Sequence, residues 1–308
     1  MRRFKNILVG VDLSQGDRFV SCELPRPNME AVERAIWLAK LNSARLCFFN
    51  AIDVSATTQR LIEESNGGMQ TVVDESARVL QEFVDRASGD GVEATMEVRF
   101  GKSWMELIRR VLDRKQDLVI CGTRHQGMIR GLLMGSTGMK LLRKCPCPVW
   151  ITQPQETQEI RSILVAHDMR PVGDLAMELG CSMAELHGAQ LHVVHSVDAP
   201  ELHHVLPASV LVDALDKLTA EADHHIREQL GRYNFSKPPG VHIVTAPADS
   251  AISDLITDHN IELLVMGTVG RTGVAGFLVG NTAERLLPRI PCSVLAVKPA
   301  AFVCPIVP

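Results

Sequence analysis

The chain writes one pattern twice. ILVGVD at Ile7–Asp12 returns as ILVAHD at Ile163–Asp168, 156 residues later. LVICGT at Leu118–Thr123 returns as LLVMGT at Leu263–Thr268, 145 residues later. GSTGMKLLRKCPCPV at Gly135–Val149 aligns with GNTAERLLPRIPCSV at Gly280–Val294, again at 145, with seven of fifteen positions identical. Ala44 against Ala189 already runs at 145, so the first copy carries eleven extra residues between Asp12 and its first helix. That segment, 13–28, holds Gly16, Pro25 and Pro27 and reads as an inserted surface loop. A repeat of this length in a chain of 308 residues means two copies of one domain, each large enough for its own core.

Within each copy short apolar runs alternate with amphipathic stretches. The runs are Ile7–Val11, Arg45–Ile52, Val92–Phe100, Leu118–Cys121 and Val149–Ile151, then Ile163–Ala166, Gln190–Val197, Val241–Thr245, Leu263–Met266 and Val294–Val297. Between them lie helical patterns such as Val32, Ile36, Ala39 and Leu175, Leu179, Met183, and the longer Val73, Leu80, Phe83, Val84, Ala87 and Leu211, Leu215, Leu218, Ala222, Ile226, Leu230. Strands alternating with helices demand α/β domains with parallel sheets and helices on both faces. The expected domains are 1–153 and 160–299, with a polar linker from Gln153 to Ile160 and a tail at 300–308. Net charge is −4, so no global basic field points to nucleic acid. No apolar run reaches membrane-spanning length, and the basic start ends its short apolar stretch at Asp12. A cytoplasmic location is the expectation. The Cys145-Pro-Cys147 pair reads as the turn into a strand, since Cys292 stands alone at the equivalent place.

The stretch from Leu263 to Val297 carries the chemistry. A buried strand runs into glycines at Gly267, Gly270, Gly273, Gly276 and Gly280 and then into a helix start. Glycines let backbone N–H groups close on phosphate oxygens, and the helix N-terminus adds free N–H groups and the positive end of its dipole. Two residues separate Gly267 from Gly270, and nine separate Gly270 from Gly280, with Asn281 and Thr282 behind. This resembles the nucleotide loop of the universal stress protein family, Gly-x2-Gly-x9-Gly-Ser/Thr, with Asn281 as the one departure. The resemblance covers both copies and looks like the tandem, two-domain type. It implies a Rossmann-like sheet of order 3-2-1-4-5 in each domain, a stress-response or regulatory role, and ATP as ligand, with or without Mg.

By the same resemblance Asp168, Ser196, Gly267, Gly270, Gly280, Asn281 and Thr282 are the candidate nucleotide site, and the residues themselves add Met266 as a floor and Arg271 as a phosphate contact. Asp168 is the strand-end acid beside adenine and ribose, and Ser196 touches adenine through its backbone. A carboxylate accepts hydrogen bonds from amino or hydroxyl donors. Such a crevice lies outside the carboxyl ends of the strands, where the strand order reverses. The first copy offers a weaker second site at Asp12, Ala51, Gly122, His125, Gly135, Ser136 and Thr137, because His125 stands where the second glycine belongs. No Walker lysine, general base or acidic metal pair accompanies the loop, so no catalytic residue is assigned and holding ATP is favoured over turning it over. A slow ATPase and an interaction module with a non-nucleotide ligand stay open as alternatives. The histidine pairs His203/His204 and His224/His225 supply at most one ligand each on a helix, so no metal site is assigned.

The closing strands around Val149–Ile151 and Val294–Val297 are short and apolar, and in a 3-2-1-4-5 order they are edges. An intramolecular pseudo-dimer through these strands is therefore expected, with a further homodimer left open. Cysteines placed at Trp150 and Leu295 in a background without native cysteines should crosslink within one chain; positions that stay far apart would reject the pairing.

Overall fold

The computed structural model describes residues 3–14, 20–21, 23–65, 68–123, 134–155, 157, 159–197, 205, 207–268 and 280–307. The chain divides into two compact units, Met1–Gln158 with Phe302–Pro308, and Glu159–Ala301.

In the first unit β1 (Asn6–Gly10), β2 (Arg45–Ile52), β3 (Ala94–Phe100), β4 (Leu118–Gly122) and β5 (Val149–Thr152) form a parallel sheet of order β3-β2-β1-β4-β5. In the second, β6 (Ser162–Ala166), β7 (Gln190–Ser196), β8 (Gly240–Val244), β9 (Leu263–Gly267) and β10 (Ser293–Val297) repeat it as β8-β7-β6-β9-β10. Both are the 3-2-1-4-5 order. Position in that order explains composition. Ile7, Leu8 and Val9, and Ile163, Leu164 and Val165, are fully buried because helices cover both faces of a central parallel strand. The edge strands β3 and β8 are half-buried apart from the exposed Thr95 and mix polar with apolar residues.

The helix Arg26–Asn42 buries Val32, Ala35, Ile36 and Ala39, and its counterpart Pro171–His187 buries Ala176, Leu179 and Met183. Each ends on a left-handed residue, Ser43 (φ 49°) and Gly188 (φ 62°), 145 positions apart. The inserted segment is shorter than its expected 13–28. Arg26, Pro27 and Asn28 already belong to the helix, because proline suits a first turn whose N–H needs no partner. The long helix of the first unit, Gly68–Gly89, is preceded by a separate helix, Ala56–Glu64, which the apolar periodicity does not reveal. Ser55 caps it by accepting from the Thr58 N–H at 3.1 Å. In the second unit the helix Ala208–Leu230 buries Ala222, Ile226 and Leu230, but Leu218, expected on the core face, is exposed.

Candidate functional site

The crevices follow from where the ladders stop. Pairing of β1 with β2 ends at Gly10–Phe49 and with β4 at Gly10–Cys121. Beyond that point the chain leaves β1 in one direction and β4 in the other, and the space between is unfilled by backbone. In the first unit this space is a cavity of about 740 Å³. Asp12, Ala51, Gly122, Gly135, Ser136 and Thr137 all line it, so six of the residues expected for the weaker second site converge. His125 lies outside the described residues.

One wall is a helix start. Gly135 stands before the helix Ser136–Lys144 with φ −63° and ψ 163°, and no side chain caps that end. The first N–H groups of a helix have no partner within it, so Ser136, Thr137 and Gly138 present free donors and the positive dipole end to the cavity. The floor is apolar: burial pushes the Cys121 thiol up to about 12, which makes it wall and not nucleophile. Asp12 is exposed at the end of β1, and its Oδ1 accepts from the Ser14 N–H at 3.0 Å and from the Ser14 hydroxyl.

Several lining residues were not expected from sequence. Arg26 and Asn28 come from the first turn of the helix that follows the insertion, and Asn28 Nδ2 donates to the Asp12 carbonyl at 2.7 Å. Asn50 Nδ2 donates to the Val11 carbonyl at 2.9 Å, tying β2 to the end of β1. His195 occupies the equivalent place in the second unit, and its Nδ1 lies 2.8 Å from the His167 carbonyl. Two unlike side chains thus brace the same peptide.

Gly122 also has a packing task. A Cβ there would stand 2.3 Å from the Pro27 carbonyl oxygen and 2.7 Å from its carbon. The first glycine of the loop therefore admits the neighbouring helix start to β4, as well as keeping the crevice mouth free of a side chain. Gly267 behaves alike, since a Cβ would meet Val172 Cγ2 at 2.9 Å.

In the second unit Asp168 is exposed at the end of β6, and its Oδ1 accepts from the Arg170 N–H at 3.1 Å. Ser196 closes β7 and its hydroxyl donates to the Ala246 carbonyl. Met266 is buried in β9, in register with Ala166 and Ala296. Gly280 stands before the helix Asn281–Leu286, its N–H donating to the Thr268 carbonyl at 3.1 Å. Asn281 and Thr282 are the first two residues of that helix, which carries no side-chain cap. Gly270 and Arg271 lie outside the described residues.

Next to Asp168 sits a polar cluster that nothing in the local sequence assembles. His167 is buried, its Nδ1 accepts from the Met169 N–H at 3.0 Å, and its Nε2 lies 3.3 Å from Asp174 Oδ1. Gln229 donates to the same carboxylate oxygen, and His225 Nε2 stands 3.5 Å from it. Burial holds the His167 imidazole below its ordinary range, against the pull of the Asp174 and Asp168 charges and with some help from His225 and His195. Burial raises Asp174, but hydrogen bonds from Gln229 and His225 and the nearby imidazoles outweigh it, so its carboxyl sits below the usual range. Both shifts carry the same sign for stability. As pH falls below about 6.5 the unfolded imidazole takes up a proton before the folded one does, so the unfolded state gains. Asp174 adds a further loss at more acidic pH. Denaturation between pH 7 and pH 5 should therefore show falling stability, with a shallower slope in His167→Gln; an unchanged slope would refute this account.

Each unit is thus an open, doubly wound α/β domain whose strand order reverses between its first and fourth strands, and the chain is two of them in tandem. It belongs to the universal stress protein family, which it matches over residues 3–153 and 159–298. Universal stress protein E of Photorhabdus laumondii is 25% identical across 99% of this chain and 98% of its own. The protein of that name from Escherichia coli K12 is 22% identical, covering 99% and 98%. Among solved structures, a functionally unknown protein from Pseudomonas aeruginosa shares the fold with a TM-score of 0.70 at 21% identity, over 97% of this chain and 94% of that one. A universal stress protein from Archaeoglobus fulgidus does so at 0.65 and 18%, over 95% and 98%. Among the described residues no helix is long and apolar enough to cross a membrane.

Proposed function

We propose that this chain is a tandem nucleotide-binding protein of stress response or regulation that holds ATP, mainly in the second unit, without efficient turnover. The observation that carries the reading is the first-unit cavity, with a strand-end carboxylate on one side and an uncapped helix start on the other. That pairing suits a ligand with a hydroxyl- or amino-bearing end and an anionic end. The second unit repeats both parts in Asp168 and the helix start at Gly280, and adds the intact Gly267, Gly270, Gly280 spacing. Its phosphate contacts would be backbone N–H groups, with Mg accompanying the phosphates where ATP carries it. In the first unit Arg26 adds a cation beside the cavity, so that site takes a phosphate-bearing ligand of its own, less tightly where the second glycine is replaced by His125.

Turnover needs a positioned nucleophile and metal. Asp12 and Asp168 are engaged with neighbouring N–H groups, which suits holding a ligand better than activating water. Native mass spectrometry of the freshly purified chain, followed by ATP calorimetry, tests the reading. Copurifying adenine nucleotide or saturable ATP binding is expected. Neither being seen, or an apolar ligand copurifying in its place, would reject it.

A further inference from the structure

Apart from the candidate crevice residues, three histidines meet in the second unit. His192 is the third residue of β7, His242 the third of β8, and His259 follows the helix Ala248–Asp258. One ring nitrogen from each lies within 4.8 Å of the other two. His192 Nδ1 and His242 Nε2 are 3.1 Å apart. The His192 and His259 rings stack with centroids 4.1 Å apart.

We propose that His192, His242 and His259 bind a single divalent transition-metal ion of the zinc class. Two nitrogens bound to a tetrahedral zinc at about 2.0–2.1 Å stand roughly 3.3 Å from each other. The His192–His242 separation is close to that value already. Imidazole suits zinc, copper and nickel better than calcium or magnesium, which take oxygen. Three protein nitrogens leave a fourth position for water or a small ligand.

The backbone is arranged for this contact. His192 lies opposite Gly240 in the β7–β8 register, and His242 is two residues further along β8, on the same face. A Cβ on Gly240 would stand 2.8 Å from His192 Nδ1 and 3.1 Å from His242 Nε2. Glycine therefore leaves open the place where the two nitrogens face one another. The third ligand is fixed by a helix end. Asn260 is left-handed at φ 48°, and the Ile261 N–H reaches back to the Ile256 carbonyl at 3.0 Å, closing the helix just at His259.

The rival cluster of His167, Asp174 and His225 is less suited. The His167 Nδ1 already accepts from a backbone N–H, and the Asp174 oxygen from Gln229. His192 is the third of seven residues in β7 and His242 the third of five in β8, short of the carboxyl ends where the proposed nucleotide site lies, so a metal there pins the edge strand β8 and the helix end to β7 without touching that site.

The test uses the full chain stripped with a chelator and titrated with zinc chloride alone. One equivalent is expected by calorimetry, with a rise in melting temperature, because a ligand bound only to the folded state stabilises it. His259→Ala and His242→Ala should each weaken zinc more than about tenfold and remove the thermal shift. Gly240→Ala should weaken it with every ligand still present, and His225→Ala should bind like the parent. Circular dichroism confirms that each variant is folded; His259, at a helix end, is the variant least exposed to that risk. No zinc uptake by the parent, full affinity in the folded His259→Ala chain, or loss on His225→Ala alone would overturn the proposal.

Discussion

A Gly122→Val chain is expected to lose about 1–3 kcal/mol of first-unit stability, through overpacking against backbone. The added Cβ would stand 2.3 Å from the Pro27 carbonyl oxygen and 3.1 Å from the Asn28 nitrogen. Neither belongs to a flexible side chain, so relief requires the start of the helix Arg26–Asn42 to move off β4. That helix end also forms part of the cavity wall through Arg26 and Asn28, so the crevice changes shape with it. All three tryptophans, Trp37, Trp104 and Trp150, lie in the first unit, so urea unfolding followed by tryptophan emission reads that unit alone. A midpoint equal to the parent's would show that Gly122 serves the ligand only.

Replacing Gly280 by valine should weaken ATP well over tenfold, about 1.4 kcal/mol or more. Gly280 has φ −67° and ψ 149°, an extended conformation that a β-branched residue adopts without strain. Its N–H bond to Thr268 survives the change. What the valine adds is bulk directly ahead of the free N–H groups of Asn281 and Thr282. Affinity is thus expected to fall while the melting temperature holds, a separation that Gly122→Val does not give. Calorimetry on both chains decides it, and an ATP affinity equal to the parent's would remove the second unit's loop from the site.

Much of the architecture is legible in the amino-acid sequence. The duplicated strands and helices, the insertion after Asp12 and the 3-2-1-4-5 order implied by the family resemblance all reappear in the fold, because period and repetition are local properties of the chain. The differences have local causes too. Ala56–Glu64 is invisible in the sequence because a short helix with exposed faces has no apolar stripe to announce it. The insertion reads three residues too long because two prolines look like loop, although proline in a first helical turn costs nothing. The crevice residues Asp12 and Gly122 are marked by their place at strand ends and Gly135 by its place before a helix, whereas Asn50 and Asn28 are not, since neither position has a residue type with a fixed role.

Local pattern, then, determined which segments are strands and helices and which strand ends carry an acid or a glycine. Distance between remote segments was decided by tertiary structure alone. His242 and His259 follow His192 by 50 and 67 residues, and nothing in their spacing marks them as partners. They meet because parallel register sets Gly240 opposite His192, and because a left-handed turn at Asn260 stops a helix above the same strand. Gly122 likewise reads as a ligand glycine in sequence, and its packing task shows only in space. A missing Cβ matters through what it lets approach, and the Pro27 carbonyl arrives from 95 residues away along the chain.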